Sequence, residues 1–241
     1  MKLNIGHLYP DLLNLYGDRG NIQCMKKRCE WRGIEAEVRE FQLDDPVEFA
    51  SLDIVLLGGG SDREQMLVCE KLRTIQKSFR DYVEDGGSVI AVCGGYQLLG
   101  HYYDTQNGRI KGLSLVDLYT EQGDPRLISN IVIQNDRFET PIVGFENHGG
   151  RTYINGNQPL GRVLYGYGNN EKDGQEGVWY KNVIGTYLHG PLLPKNPHIC
   201  DQLLSQALER KYGKGELAPL DDTQELEANR YIAQRFSTAK Q

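Results

Sequence analysis

A buried strand that breaks abruptly at a cysteine is the sequence feature that most constrains this chain. Residues 88–92 are short, apolar and rich in β-branched side chains, as in central parallel strands. Gly94 and Gly95 follow Cys93 directly and permit a sharp turn with close packing of a helix on the strand. The pattern is typical of a nucleophile elbow, which presents a reactive side chain above a strand end. Free N–H groups at the start of the helix would favour a thiolate and stabilise an oxyanion.

The same cysteine also has a plainer interpretation. A cysteine at the end of a strand is commonly a small buried hydrophobe that only packs. The elbow alone therefore leaves catalytic and structural roles open for Cys93.

Alternating strands and helices fill the first half of the chain. The strands are predicted at residues 3–8, 36–41, 53–57 and 88–92, and the helices at 22–32 and from after residue 62 to about 85. This alternation predicts an α/β fold with a doubly wound, mostly parallel sheet and helices on both faces. Because ligands bind beyond the carboxyl ends of such strands, we expect residues 58–60 and Cys93 to face one crevice.

The second half has a different pattern, in which short strands are separated by turns. Strands are predicted at residues 127–134, 141–146, 162–166, 178–180 and 183–188, and helices at 197–212 and 223–236. Lys181 and Asn182 are predicted to form a hairpin turn. We interpret these strands as an antiparallel extension of the parallel sheet.

Charge and cysteine content exclude several classes of protein. The formal net charge is −6 and there is no long basic run, which argues against nucleic-acid binding. The five cysteines are odd in number and include no Cys-x-x-Cys pair, so neither a disulfide framework nor a zinc site is expected. We expect no signal peptide and no transmembrane segment, and a reducing cytoplasmic environment.

Two histidines follow predicted strands and are candidates for the base that a reactive thiol requires. His189 is followed by Gly190 and Pro191, which end the strand and would leave the imidazole at the sheet edge. His148 precedes two glycines and could line a substrate pocket. For both residues the alternative is a structural role, in the core or at a turn.

Three segments taken together resemble the class I (triad-type) glutamine amidotransferases. They are Gly-Gly-Gly-Ser at 58–61, Cys-Gly-Gly-Tyr-Gln at 93–97 and Gly-Thr-Tyr-Leu-His-Gly at 185–190, in the family's order. The similarity spans most of the chain. It implies a flavodoxin-like fold, a single glutaminase domain over residues 1–241, and hydrolysis of glutamine to glutamate and ammonia.

The resemblance also implies roles for individual residues. Cys93 would attack the side-chain amide of glutamine, and His189 would activate Cys93 and protonate the departing ammonia. The backbone N–H groups of Gly94 and of Gly60 (or Gly59) would form the oxyanion hole.

Three further residues are assigned to substrate binding. Gln97 matches a position that frames the glutamine site, and His148 could line the same pocket. Arg126 aligns with an arginine that would hold the α-carboxylate of glutamine, as a guanidinium does well. The alternative for Arg126 is an exposed loop residue without a ligand.

One departure from the family pattern concerns the third member of the triad. Most members carry Glu two residues after the histidine, where this chain has Pro191. The chain is in this respect similar to the cobyric acid synthase-like branch, which uses a Cys–His dyad. With no orienting acid identified, we expect His189 to be loosely held in the free chain. A partner would then order it through the 11–21 loop or the 191–197 turn.

The partner and cofactors follow from the same resemblance. No Gly-x-x-x-x-Gly-Lys-Ser/Thr phosphate loop occurs, so no cofactor is expected in this chain, and ATP and Mg²⁺ are expected on a separate synthetase. Segments 8–11, 16–21, 58–65 and 144–153 closely resemble those of glutaminase subunits that act with a Mur-ligase-like synthetase. Such pairs amidate the D-glutamate of the peptidoglycan precursor lipid II in the cytoplasm, where the complex would lie at the inner membrane face.

Two other functions remain open from the sequence. One is a glutaminase that supplies another ATP-dependent amidation, such as a cobyric-acid-like pathway. The other is a non-catalytic binding or redox protein of the DJ-1-like type, which carries an elbow cysteine without the segment around His189.

Overall fold

A computed structural model describes residues 1–14, 17–106 and 108–237 of the chain. Leu15 and Tyr16 of the 11–21 loop lie outside the described residues. The strands are β1 (Lys2–Leu8), β2 (Glu35–Phe41), β3 (Ile54–Leu57), β4 (Ser88–Val92), β5 (Tyr102–Thr105), β6 (Gly108–Lys111), β7 (Tyr119–Gln134), β8 (Ile142–Tyr153), β9 (Gly161–Tyr165), β10 (Gln175–Glu176), β11 (Val178–Tyr180), β12 (Val183–Thr186) and β13 (Leu188–His189). The α-helices are α1 (Arg19–Glu30), α2 (Asp62–Thr74), α3 (Gln76–Glu84), α4 (Gly94–Leu98), α5 (Pro197–Tyr212) and α6 (Thr223–Ser237).

The first sheet carries the carboxyl edge at which the predicted site lies. Its order is β11-β12-β4-β3-β1-β2, and every neighbouring pair is parallel except β11 with β12. Leu8 is opposite Leu57, Leu57 is opposite Ala91, and Val92 is opposite Thr186, so the strands end close together. The α/β class with a mostly parallel sheet is confirmed. Buried β-branched and leucine side chains on β3 and β4 explain their central position.

The second half differs in part from its prediction. Only β11 extends the first sheet in the antiparallel sense, through the predicted turn at Lys181 and Asn182. β12 joins the first sheet in parallel beside β4, and the remaining strands form a second, seven-stranded sheet of order β10-β9-β7-β5-β6, with β8 pairing both β7 and β13. β7 and β8 are 16 and 12 residues long and pair along most of their length. Because the backbone groups of β7 and β8 are hydrogen-bonded largely to each other, neither strand has to pair with an edge strand of the first sheet.

One helical prediction also needs correction. The helix expected from after residue 62 to about 85 is divided at Ile75, whose φ of −115° and ψ of 17° are not helical. No glycine or proline lies near this break, so the local sequence does not predict it. The helix after Cys93 is confirmed but has only five residues, so the contribution of its dipole is smaller than a full helix would give.

A strand that changes sheets places His189. After Thr186 the chain leaves β12, and within three residues it pairs with β8 of the second sheet, with His189 opposite Phe145. The histidine is therefore held where the two sheets meet. Within the described ranges, no helix is both long enough and apolar enough to cross a membrane.

Candidate active site

The backbone at Cys93 has the strained geometry of a nucleophile elbow. Its φ is 53° and its ψ is −109°, a region that a non-glycine residue rarely adopts. The Cys93 N–H donates to the Thr186 carbonyl at 2.8 Å, which ties the elbow to the end of β12. The side chain is 7% exposed, at the carboxyl edge of the first sheet. The predicted elbow is thus present, whereas the nucleophilic role stays a prediction.

The glycines after β3 pack directly against this elbow. A Cβ on Gly59 would lie 3.0 Å from Cys93 Cβ, so a larger residue there would press on the cysteine. The Gly59 N–H is directed at Asp18 Oδ2, 3.4 Å away. Of the two glycines proposed for the oxyanion hole, Gly60 is therefore the better candidate, because the N–H of Gly59 already faces a carboxylate.

Gln65 links the two predicted oxyanion donors. Its Nε2 donates to the Gly60 carbonyl at 3.0 Å, and a Cβ on Gly94 would lie 2.2 Å from the same nitrogen. Gln65 is 3% exposed and belongs to α2, whose first turn carries a capping box of Ser61 and Glu64. The amide therefore fixes the loop of Gly60 against the elbow.

His189 lies in contact with both Cys93 and an acid that the sequence did not identify. The imidazole is 2% exposed, and its Nδ1 is 3.5 Å from Oδ1 of the fully buried Asp18. This separation is an ion-pair distance and slightly long for a hydrogen bond. Burial lowers the pKa of His189, but the interactions with the Asp18 carboxylate and with Cys93 outweigh it and raise the pKa from 6.5 to about 9. The base is therefore charged at neutral pH.

His148, the second candidate histidine, lies in a buried layer. It is 1% exposed, its Nδ1 contacts the Gly150 carbonyl at 2.8 Å, and its Nε2 is 3.6 Å from Glu146 Oε2. Its ring stacks on Tyr187 with centroids 3.6 Å apart. Burial lowers the pKa of His148, and Glu146 opposes this only in part. The predicted contact with substrate would require the ring to become accessible, and it stays a prediction.

Gln97 belongs to the same buried layer. It is 3% exposed, and its Nε2 donates to the Tyr187 hydroxyl at 3.1 Å. That hydroxyl also contacts Thr152 Oγ1 at 2.6 Å. The amide nitrogen thus holds Tyr187 in position, and a direct role of Gln97 in glutamine binding stays a prediction.

Arg126 lies on the exposed side of the site, where β7 departs from regular pairing. Its Nε and Nη2 donate to Asn147 Oδ1 at 3.0 and 2.9 Å, which holds the guanidinium in place. Tyr103, from a strand that the sequence did not predict, is within electrostatic range of Cys93, Asp62 and Arg126. Arg126 and Cys93 therefore border the same region, and the predicted carboxylate contact remains to be tested.

Glu176 is a buried acid behind the histidine that sequence patterns also did not identify. It accepts hydrogen bonds from the Thr186 hydroxyl and from the Tyr187 N–H at 2.7 Å. Burial raises the pKa of Glu176 to about 8. This side chain holds the segment between β12 and β13, and so fixes the approach of the chain to His189.

The arrangement is suited to acyl transfer. A cysteine sulfur paired with a charged imidazole, without a proton of its own, can attack a carbonyl carbon, and nearby backbone N–H groups can hold the oxyanion that forms. Within the described residues, no group of three or more His, Cys, Asp and Glu side chains is placed to hold a metal ion.

Comparison with known proteins gives a family match over most of the chain. Residues 4–197 match the CobB/CobQ-like glutamine amidotransferase domain. The chain is 45% identical over 240 residues to the GatD subunit of the glutamine-hydrolyzing lipid II isoglutaminyl synthase of Staphylococcus aureus, covering 99% of this chain and 98% of that protein. The same subunit of Streptococcus pneumoniae is 42% identical, with 99% and 92% covered. A cobyric acid synthase of Listeria innocua is 28% identical over 65% of this chain and 32% of its own length.

Solved structures agree on the fold. PurLQS from Thermotoga maritima matches with a TM-score of 0.55 at 18% identity, covering 89% of this chain and 100% of the other. A second structure, of a glutamine amidotransferase, gives a TM-score of 0.53 at 17% identity, with 84% and 98% covered.

Proposed function

The chain belongs to the family of CobB/CobQ-like glutamine amidotransferase domains, and we propose that it is the glutaminase subunit of a lipid II isoglutaminyl synthase. It is a glutamine-hydrolysing enzyme subunit, which leaves the non-catalytic DJ-1-like alternative without support. The ammonia it forms would serve the amidation of D-glutamate in lipid II to D-isoglutamine. The single observation that carries the choice of acceptor is the 45% identity over 99% of the chain to a subunit of that name.

The proposed reaction begins with attack of the Cys93 sulfur on the side-chain carbonyl carbon of glutamine. The tetrahedral oxyanion would be held by the N–H groups of Gly94 and Gly60. As the C–N bond breaks, the imidazolium of His189 gives its proton to the leaving nitrogen, and ammonia departs from a γ-glutamyl thioester. Support for this direction of proton transfer comes from the raised pKa of His189, which keeps the ring charged before attack.

Hydrolysis of the thioester would complete the cycle. His189, now neutral, takes a proton from water, whose oxygen attacks the thioester carbonyl. Collapse of the second tetrahedral intermediate breaks the C–S bond, releases glutamate and returns the sulfur to its place beside the protonated His189. One glutamine and one water thus give one glutamate and one ammonia. Arg126 would hold the α-carboxylate of glutamine throughout.

The ammonia acceptor would be supplied by a partner. We propose a Mur-ligase-like synthetase that binds ATP and Mg²⁺ and activates the carboxyl group, with no cofactor in this chain. The complex would act in the cytoplasm, at the inner face of the membrane that holds lipid II. The alternative, supply of ammonia to a cobyric-acid-like amidation, shares the glutaminase step and differs only in the acceptor.

The experiment is amidation of lipid II by the chain co-purified with its synthetase, with ATP and either glutamine or ammonium chloride as nitrogen donor. The proposal predicts that Cys93→Ala abolishes amidation from glutamine but leaves amidation from ammonium chloride. Cys69→Ala, which alters a buried thiol on α2, is the matched control and should leave both. Glutamine hydrolysis without any amidation of lipid II would favour the alternative acceptor.

A further inference from the structure

The position at which the family usually carries the triad acid is occupied here by Pro191, yet His189 has a carboxylate beside it. Asp18 is fully buried, and its Oδ1 is 3.5 Å from His189 Nδ1. Within the described ranges Oδ1 has no hydrogen bond, so the histidine is the group it faces. A buried carboxylate without a charged partner would be costly, and the imidazolium supplies that charge.

Pro191 is itself part of the reason that Asp18 reaches this place. A Cβ on Gly20 would lie 2.4 Å from Pro191 Cγ, so the first turn of α1 packs directly on the proline. The Leu193 N–H donates to Asn21 Oδ1 at 2.9 Å, which fixes the same turn to the segment after His189. The residue that replaces the usual acid therefore makes the contact that brings another acid to the base.

The second carboxylate oxygen faces the other side of the active site. The Gly59 N–H is directed at Asp18 Oδ2 at 3.4 Å, and a Cβ on Gly58 would lie 3.5 Å from the same oxygen. The carboxylate thus lies between the histidine and the loop that carries the candidate oxyanion donor Gly60. One side chain can fix the orientation of both.

We propose that Asp18 is the positioning residue of this active site, with Oδ1 orienting and charging His189 and Oδ2 holding the loop of Gly58 to Gly60. The inference rests on the proposed glutaminase roles of Cys93 and His189. Asp18 does not touch the substrate. It acts through His189, as the buried acid of a catalytic triad does, but it comes from the N-terminal end of the chain.

This role replaces the expectation of a loosely held base. The histidine already has an orienting carboxylate within its own chain, so a partner is not needed to supply one. The other titratable groups around the pair are Glu176 on β10, His7 on β1 and Lys195, whose Nζ donates to the Gly190 carbonyl at 3.3 Å. Glu176 favours the charged form of His189 only when it is itself ionised, and burial raises the pKa of Glu176 to about 8.

The test uses the full chain and titrates His189 directly by NMR of ¹⁵N-labelled histidine. In the wild type, a His189 pKa well above 6.5 is expected, since the pKa is raised to about 9. Asp18→Asn should lower it by at least about one unit, because the charge that favours the imidazolium is lost. Asp53→Asn is the matched control: it alters a buried carboxylate that binds Asn4 and Lys211 at the opposite edge of the sheet, and should leave the titration unchanged.

Kinetics of the same variants, measured on the chain with its synthetase, give the second readout. Asp18→Asn should lower kcat for glutamine hydrolysis by about 10²- to 10⁴-fold with little change in KM, because the base is misoriented rather than the substrate site lost. A wild-type His189 that titrates near 6.5, or an Asp18→Asn variant with unchanged titration and kcat, overturns the inference. A wild type that hydrolyses no glutamine refutes the proposed function instead, and the titration still decides the place of Asp18. The wild-type titration needs no variant, so misfolding of Asp18→Asn does not remove the test.

Discussion

Two buried histidines in this protein lie almost equally far from a carboxylate, yet their pKa values shift in opposite directions. His189 Nδ1 is 3.5 Å from Asp18, and His148 Nε2 is 3.6 Å from Glu146. The pKa of His189 is raised to about 9, although burial acts to lower it. The pKa of His148 is lowered, and burial is the main cause. Distance to an acid therefore does not by itself identify a base.

The difference arises from what else each carboxylate and each ring contacts. Glu146 also accepts hydrogen bonds from the N–H groups of Tyr167 and Gly168, at 2.7 and 2.9 Å, so it has backbone partners besides the histidine. His148 additionally lies near the positive charge of Arg151. Within the described residues, no other group donates a hydrogen bond to Asp18 Oδ1, the oxygen that faces His189. His189 also has Cys93 as a second partner that raises its pKa. The comparison favours His189 as base and a structural role for His148.

The largest effect is expected at the group that only one histidine contacts. Cys93→Ala should reduce glutamine hydrolysis by more than about 10³-fold, because the nucleophile is lost. It should also lower the pKa of His189, which loses a partner, and leave the pKa of His148 unchanged. Glutaminase assays with histidine NMR measure both. Retention of more than about a tenth of wild-type hydrolysis would remove Cys93 from its role.

The histidines themselves give the next largest effect. His189→Ala should lower kcat by about 10²- to 10⁴-fold and slow alkylation of Cys93 by iodoacetamide near neutral pH, because base and counter-charge are both lost. His148→Ala should change kcat by less than about tenfold and act mainly on stability through lost packing on Tyr187. Equal losses of kcat in the two variants would contradict the distinction.

The opposite pKa shifts predict opposite effects of pH on folding. For His189 the folded value lies above 6.5, so its stabilisation is complete below pH 6.5 and is lost as pH rises through about 9. For His148 the folded value is lowered, so stability is lost as pH falls below 6.5. In urea unfolding, the wild type should lose up to about 3 kcal/mol of its free energy of unfolding as pH rises through about 9, and His189→Gln should not show this loss. His148→Gln should instead lack the decrease in the free energy of unfolding that the wild type shows below pH 6.5. A variant pair with identical pH profiles would refute this assignment.

The smallest effect is expected at the acid beside His148. Glu146→Gln replaces one of the two carboxylate oxygens, each of which accepts a backbone hydrogen bond, with an amide NH₂ that cannot accept one, at a cost of about 1–3 kcal/mol in the free energy of unfolding. Glutaminase activity should change by less than about tenfold, in contrast to Asp18→Asn. Urea midpoints and kcat of the two variants, measured side by side, make the comparison. A large loss of kcat with unchanged stability would show that Glu146 serves the reaction.

Sequence patterns predicted the first sheet well because its signals are short-range. The apolar run at residues 88–92, the glycines after Cys93 and the glycines at 58–60 each mark a strand end within a few residues. Predicted bounds for α5 and for β4 agree with the structure. Where strands were long or paired in a separate sheet, as β7 and β8 are, the local pattern found the strands but neither their full length nor their sheet.

What the sequence by itself determined is therefore the elbow, the order of the candidate residues and the family. These depend on residue types at fixed spacing, and a chain that folds to strand, sharp turn and helix must place Cys93 at the carboxyl edge of the sheet. Only the tertiary structure decided which acid meets His189. Asp18 and His189 are 171 residues apart in the sequence, and they meet because Gly20 packs on Pro191 and Asn21 binds Leu193. No periodicity or spacing encodes such a contact, since it depends on two elements packing side by side and not on the local conformation of either one.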